Sequence, residues 1–445
     1  MTGMSVYSGW GIPGSGRPAH RDRLARRVFF GVISRVRWGR LNLVEGNKRL
    51  TVGRRTDTCP IEATIFVKTP RFYTHVLTAG SAGAGESFAL GQWSADTLTD
   101  ALRIVLLNQT VFDQTHRQWR RFSVPLRSLL HFTRRVTDSN KSNNSLLPYK
   151  PGDEFTALFL DDSYCHSCGI FTRPDTTLSE AAAAAYERLC RKLRLQADDA
   201  VLEIGSAWGG FAIHAASRYG CRIVAAVESD SQIQTARQRV QAAGVADRVK
   251  IVPKDFRQLK GRFDKLVSIE TIESIGRRYR DIFFHFCSRL LKNNGMMALQ
   301  AVTKSEYAGD RRPYDTESAG PFIHPKDGLP SLTAISQATD RNSDLRPVHL
   351  EDITPHYALT MRRWRERYYA NVNRARELGI SEIVLRQLAF YLCCGEAGFA
   401  ERYFGSVQMI FAKSLSRHNP ILPPLASKFG VILQRKKDDI ANWLS

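Results

Sequence analysis

The run VLEIGSAWGG, Val201 to Gly210, has the make-up of a cofactor-binding turn. An apolar stretch ends in a glycine-bearing turn and opens a helix, GFAIHAASRYG, closed by Gly220. Glycine lets a backbone approach a ligand closely. The helix start supplies N–H groups that have no partner within the helix. In open α/β sheets, ligands sit at the carboxyl ends of the strands. The run is not GxGxxG and has no P-loop lysine, so it points to a nucleoside-type cofactor rather than to bare phosphates. The ordinary alternative is a well-packed strand–helix turn. Two carboxylates follow at the ends of the next two strands. Glu228, in AAVESDSQ, is placed to accept hydrogen bonds from ribose hydroxyls, with Asp230 as the alternative. Asp255, in VPKDFRQL, is placed to meet an adenine amino group while Phe256 stacks on the base; its alternative is a turn aspartate. Carboxylates after successive strands, downstream of a glycine turn, fit S-adenosylmethionine better than a dinucleotide.

These residues need a sheet to hold them. From about residue 175 the chain alternates helical runs (SEAAAAAYERLCRKLRL, SQIQTARQRVQAAG) with buried strand runs (AVLEIGS, CRIVAAVES, RVKIVPKD, FDKLVSIE, MMALQAV and the late SVQMIFAK). That alternation, with short turns, predicts a doubly wound parallel sheet covered on both faces. Residues 303–400 interrupt it, carry many aromatics and arginines, and read as a lid or substrate-binding insertion. Upstream, residues 21–135 combine β-like runs (LNLVE, IEATIFVK, FYTHVLTAG) with one helical run, LTDALRIVLLNQTVF. Residues 136–152, rich in Ser, Asn, Pro and Gly, read as a linker, and residues 1–20 as a disordered leader. The expected organisation is therefore a smaller N-terminal α+β domain over 21–135 and a cofactor-binding domain over 153–430.

The chain has 445 residues, 43% hydrophobic and 24% charged, with net charge +21. The excess is uneven: the first 150 residues carry 23 Lys and Arg against nine Asp and Glu. A basic face suits nucleic acid or anionic lipid equally. The stretch RDRLARRVFFGVISRVRWGR (21–40) alternates basic and bulky apolar residues. It reads either as an amphipathic helix lying on a membrane or as a helix packed on its own domain. No apolar run approaches the roughly 20 residues that span a bilayer. The eight cysteines are scattered, which suits free thiols in a reducing cytoplasm. Cys165 and Cys168 have CxxC spacing without a second pair, so no metal site is expected.

Several segments together resemble the cyclopropane-fatty-acyl-phospholipid synthase and mycolic acid cyclopropane synthase family. VLEIGSAWGG resembles its (V/L)(D/E)IGCGWGG, and YKPGDEFTALFLDDSYCHSCGIF resembles its YDLxNxxxxLFLDxxMTYSxAxF. VSIETIESIG resembles the segment carrying the family's general-base glutamate. GLPS at 328–331, HYALTMRRW at 356–364 and FYLCCGEAGFAERYFGSVQMIFAKS at 390–414 follow in family order, and VRWGRL and GESFALGQW look like its lipid-associated first domain. Glu273 together with Leu299-Gln300 looks like the plant-type branch. The resemblance implies a Rossmann-like methyltransferase sheet behind that first domain. It implies transfer from S-adenosylmethionine to the cis double bond of an unsaturated phospholipid acyl chain, forming a cyclopropane at an anionic membrane surface. The enzyme would be cytoplasmic and peripheral to the membrane, with a homodimer left open. The cofactor would lie against His166, Ser167, Val201, Glu203, Gly205, Ser206, Trp208, Gly209, Glu228, Gln232, Asp255 and Phe256. A bound bicarbonate, the base that removes a proton from the new methyl group, would be caged by Cys168, Glu273, Gln300 and Tyr357.

The chain also departs from the family pattern. Ser206 and Ala207 stand where the family has Cys and Gly, His166 where it has Tyr, and Pro-Tyr-Lys at 148–150 where it has HYD. An alanine at 207 is disfavoured if its φ is positive. Two alternatives therefore stay open: a related methyltransferase giving a methyl or methylene branch, and a non-catalytic homologue. Nucleic acid is not expected as a partner, because the Asn/Asp-Pro-Pro-aromatic motif of base-amine methylation is absent.

Overall fold

The computed structural model describes residues 20–112, 156–304 apart from 228 and 254, 329–417, and 421. The predicted leader (save His20), the predicted linker, the Pro-Tyr-Lys segment and Glu228 lie outside the described residues.

In the N-terminal unit, α1 (His20–Ile33) precedes β1 (Gly39–Glu45), β2 (Lys48–Arg54) and β3 (Glu62–Val67). Then come α2 (Arg71–Ala89), β4 (Trp93–Ala95) and α3 (Leu98–Leu107). The strands form a four-stranded sheet in the order β2-β1-β3-β4. Ala25, Phe29, Val32 and Ile33 of α1 are buried, at helical spacing, while Arg21, Arg23 and Arg27 face solvent. Phe29 packs 5.4 Å from the Phe72 ring and 5.3 Å from Tyr73. The buried apolar stripe of this helix is thus spent on its own domain, and its free face carries Arg21, Arg23 and Arg27 together with the exposed Leu24. FYTHVLTAG is a helix, not a strand. Its β-branched and aromatic content mimics a strand, but Pro70 stands at the helix start, and Tyr73 and Leu77 are buried four residues apart.

The second unit carries α4 (Leu178–Leu193), β5 (Ala200–Ile204), α5 (Gly210–Tyr219), β6 (Arg222–Ala226), α6 (Asp230–Ala242), β7 (Val249–Val252) and β8 (Phe263–Ile269). It continues through α7 (Ile272–Ile275), α8 (Arg280–Leu290), β9 (Leu291–Lys304), α9 (Leu332–Asn342), β10 (Arg346–Asp352), α10 (Thr354–Glu377), α11 (Glu382–Ala400) and β11 (Phe404–Ala412). A capping box between Thr177 and Glu180 opens α4. The seven strands run in the order β10-β11-β9-β8-β5-β6-β7. β5, β6, β7, β8 and β9 are parallel, and β11 runs antiparallel to both β9 and β10. This is the doubly wound α/β sheet expected, and the chain reverses its winding direction between β5 and β8.

The segment 303–400 is more than an insertion. β10 joins the main sheet at its edge, and its side chains are largely exposed, so it lacks the apolar run by which a buried strand is read. The helix α11 bridges the two units. Phe88 packs 5.6 Å from Phe390, Thr99 Oγ1 donates to Glu396 at 3.2 Å, and Arg103 pairs with Glu401 at 2.6 Å. One hydrophobic cluster runs through both units. The helix α11 is long and apolar enough to cross a membrane by length and composition, which the chain's hydropathy did not suggest, but most of it is buried inside the fold.

Candidate active site

The carboxyl ends of β5 and β8 lie side by side where the winding reverses, the place where open α/β sheets bind ligands. From β5 comes the turn. Gly205 has φ +80°, and its N–H and that of Ser206 both donate to Ala226 O at 3.1 Å. A Cβ on Gly205 would lie 2.1 Å from Thr271 Oγ1, so only glycine fits against the β8 end. Glu203 is buried behind the turn and accepts from Ser206 Oγ at 2.7 Å; burial raises its pKa to about 7. Gly209, at φ +80°, caps α5. Arg239 donates to Trp208 O at 2.9 Å and to Ser163 O at 2.8 Å, which ties the turn to the 161–168 segment. Ala207 has φ +46°, so the alanine occupies the left-handed conformation in which a Cβ is strained.

Other expected cofactor residues are placed differently. Val201 is fully buried in the strand interior, a core residue short of the ligand end of β5. Asp255 is held by Arg257, whose Nε donates to it at 2.8 Å, and this pairing lowers the Asp255 pKa. Phe256 is buried edge-on against Phe283 at 5.5 Å and Phe286 at 6.1 Å, so its ring serves the core. Gln232 is half-buried in α6. Ser167 is buried, 3.3 Å from Cys165 Sγ. His166 stacks on Trp364 with centroids 5.2 Å apart and rings 4° from parallel, while the residue stays exposed to solvent. The glycine cradle thus fits a cofactor that approaches the backbone, while the carboxylate and ring proposed for adenine are engaged elsewhere.

From β8 comes the chief difference from expectation. The three donors predicted to cage an anion converge on Glu270, not on the space beside Glu273. Cys168 N–H donates to Glu270 Oε1 at 2.9 Å, Gln300 Nε2 to the same oxygen at 3.0 Å, and Tyr357 O–H to Oε2 at 2.6 Å. Glu270 has φ +49°, a strained conformation for a glutamate, and burial raises its pKa against those three donors. Glu273 instead accepts the N–H of Val302 through Oε1, while Oε2 has no hydrogen-bond partner among the described residues. Burial, and then the nearby Glu270, raise its pKa to about 8, so it is largely protonated at neutral pH. The cage therefore does not fit bicarbonate: a protein carboxylate already takes the hydrogen bonds the anion would need.

Sequence reasoning chose the second glutamate of ETIE and passed over the first. The missed signal was positional. Ile269 ends β8, so Glu270 is the first residue at its ligand end, while Glu273 lies in the first turn of α7. Aromatic rings surround this carboxylate. Tyr357 stacks on Phe399 at 4.1 Å and meets Trp364 edge-on at 6.2 Å, and Phe159 meets both Trp364 and His166 edge-on at 6.1 Å. All eight cysteines are free and buried. Among the described residues no group of His, Cys, Asp and Glu has the make-up of a metal site.

Residues 137–409 match the family described as mycolic acid cyclopropane synthetase. A tuberculostearic acid methyltransferase of Mycobacterium tuberculosis is 33% identical over 339 residues, covering 74% of this chain and 78% of the relative. The cyclopropane-fatty-acyl-phospholipid synthase of Escherichia coli is 28% identical over 357 residues, covering 79% and 88%. Among solved structures, a mycolic acid cyclopropane synthase complexed with SAH and CTAB aligns with TM-score 0.55 and 27% identity, covering 62% of this chain and all of that one.

Proposed function

This chain belongs to the mycolic acid cyclopropane synthetase family of S-adenosylmethionine-dependent methyltransferases, and we propose that it methylates the cis double bond of an unsaturated phospholipid acyl chain and closes a cyclopropane ring. One observation carries the assignment of roles: Glu270, held by Cys168, Gln300 and Tyr357, sits at the end of β8 beside the glycine turn. Bound S-adenosylmethionine supplies an electrophilic methyl group. The turn from Gly205 to Gly209 holds it, with Glu203 fixing the turn from behind. Methylation of the double bond leaves a cation on the neighbouring acyl carbon. The buried rings of Trp364, Tyr357 and Phe399 exclude water and present π faces to that cation. Glu270 takes a proton from the new methyl group, and the electron pair of that C–H bond closes the ring. Protonated Glu273 beside it keeps a second negative charge out of the site.

A second reading is favoured by the relative named as a tuberculostearic acid methyltransferase rather than a cyclopropane synthase. In it the same base takes the proton after a hydride shift, which leaves a methylene branch. Ozonolysis of the product separates the two, because a cyclopropane survives and an exocyclic alkene does not. Product that cleaves throughout would overturn the cyclopropane reading.

Lipid docking is assigned to the basic face of the N-terminal unit. Arg23 and Arg27 of α1, with Arg35, Arg37 and the half-exposed Trp38, point to solvent. Such a face suits an anionic membrane surface, with each basic residue worth about 1 kcal/mol. This reading places the enzyme at the cytoplasmic face of the membrane.

A further inference from the structure

A line of side-chain hydrogen bonds runs from the active site to a buried lysine on α4. Gln300 Nε2 donates to Glu270 Oε1 at 3.0 Å and to Cys168 O at 3.4 Å. Gln300 Oε1 accepts from Gln408 Nε2 at 2.9 Å, and Gln408 Oε1 accepts from Lys192 Nζ at 2.7 Å. Lys192 also donates to Glu351 Oε2 at 2.6 Å, and Glu351 is gripped by Arg188 as well. Gln300, Gln408 and Lys192 are all buried.

An amide can point either way in a hydrogen-bond chain, but an ammonium group donates only. Lys192 therefore forces Gln408 to turn its oxygen outward and its NH2 inward. Gln300 must then meet Gln408 with its oxygen, which leaves its own NH2 for Glu270. With the lysine removed, only the longer contacts of Gln408 Nε2 with Ala185 O and of Gln300 Nε2 with Cys168 O, both 3.4 Å, oppose reversal of the two amides, in which Gln300 would show an oxygen to the carboxylate. We propose that Lys192 and Gln408 are positioning residues that set the direction of this chain, so that Glu270 always faces a donor and stays ionised.

The titratable groups facing Glu270 are Cys165 and Cys168 from the 161–168 segment, Glu273 from α7, Tyr357 from α10 and Tyr391 from α11. None is a cation, so among the described residues the hydrogen bonds have no charged substitute nearby. At the far end the charged and titratable groups are Arg188, His349 and Glu351. Glu351, which burial alone would raise, is held near about 2 by Arg188 and Lys192, so the lysine keeps an anionic partner across the working pH range.

This inference rests on Glu270 as the base, so the test reads the carboxyl group in two ways. Gln408→Glu still accepts from Lys192 but cannot donate to Gln300. Losing one hydrogen bond to an ionised group moves its pKa by about one to two pH units. The acid limb of turnover on monounsaturated phospholipid vesicles should move up by that amount, with the KM for S-adenosylmethionine unchanged. Lys192→Met should move it in the same direction by less, and Lys192→Arg, which restores the donor, should return it to the wild-type position. The second readout needs no turnover: the infrared carboxyl stretch of Glu270, identified by its loss in Glu270→Gln, should titrate at higher pH in Gln408→Glu and in Lys192→Met. If wild type is inactive on phospholipid but the infrared shift appears, the substrate reading fails and the positioning role stands. If Glu270 titrates at the wild-type pH in both variants, the positioning role is wrong. If Gln408→Glu does not fold, the pair Lys192→Met and Lys192→Arg decides alone.

Discussion

Replacing Glu270 with glycine separates its chemistry from its geometry. The backbone gains from the change, because a glutamate at φ +49° carries strain of about 1–2 kcal/mol. The added freedom of the unfolded chain takes back about 0.4–1 kcal/mol. Against this, the Cys168 N–H, the Gln300 amide and the Tyr357 hydroxyl lose their acceptor. A stranded buried donor costs about 1–3 kcal/mol, but a water admitted to the vacated space can meet two or three of them. The fold should therefore survive with a loss of a few kcal/mol at most. Turnover should not: removing a positioned base costs about two to four orders of magnitude. The space left behind has the three donors that a small oxyanion needs. Added formate or bicarbonate should restore activity in Glu270→Gly with a saturable dependence, while wild type in carbonate-free buffer should need neither. The assay is conversion of monounsaturated phospholipid in vesicles, with cofactor binding measured by calorimetry in parallel. Full activity of Glu270→Gly without an added anion would refute the reasoning, and so would a wild type that stops when bicarbonate is removed.

Further outcomes follow from the same geometry. The Glu273 pKa is raised from 4.5 to about 8, so the folded state holds a proton that the unfolded chain releases; stability is full below about pH 4.5 and falls as pH rises through about 8, by an upper bound of roughly 5 kcal/mol. Glu273→Gln should flatten that slope in urea unfolding, and an unchanged slope would rule out this origin. Gly205→Ala drives a Cβ into Thr271 Oγ1 and should weaken S-adenosylmethionine binding by about tenfold or more in calorimetry, with equal binding counting against the turn as the cofactor site. Ala207→Gly should keep cofactor binding and raise stability by up to about 1 kcal/mol, since it relieves a Cβ at φ +46°. Reversing charge at Arg23 and Arg27 should reduce co-sedimentation with anionic vesicles at low salt and leave neutral vesicles unaffected, whereas no change would remove the α1 face from lipid docking.

The parallel sheet was legible because buried strands and amphipathic helices alternate with periods that differ. β10 was not, because an edge strand with exposed side chains carries no apolar run. α2 was misread because Phe72, Tyr73, Thr74 and Val76 locally favour a strand, and only packing against α1 settles them as helix. At the site, Cys168, Gln300 and Tyr357 were identified from segments far apart in sequence, and they do meet. Which glutamate they meet was not legible from spacing. The choice depends on where β8 ends and on a backbone twist at Glu270 that no periodicity encodes. Asp255 and Phe256 show the converse: their types suit an adenine, but Arg257 and the Phe283–Phe286 cluster compete for them. Lys192 and Gln408 had no signal at all, since a lysine in a helix and a glutamine in a strand are ordinary until a hydrogen-bond chain joins them.

Product analysis with purified protein, S-adenosylmethionine and anionic vesicles of a monounsaturated phospholipid tests the role of Glu270 most directly. Wild type should form acyl chains heavier by one methylene and resistant to ozonolysis, and Glu270→Gln should not, with both proteins binding cofactor. Unmodified acyl chains from a wild type that binds cofactor, or equal product from Glu270→Gln, would contradict it.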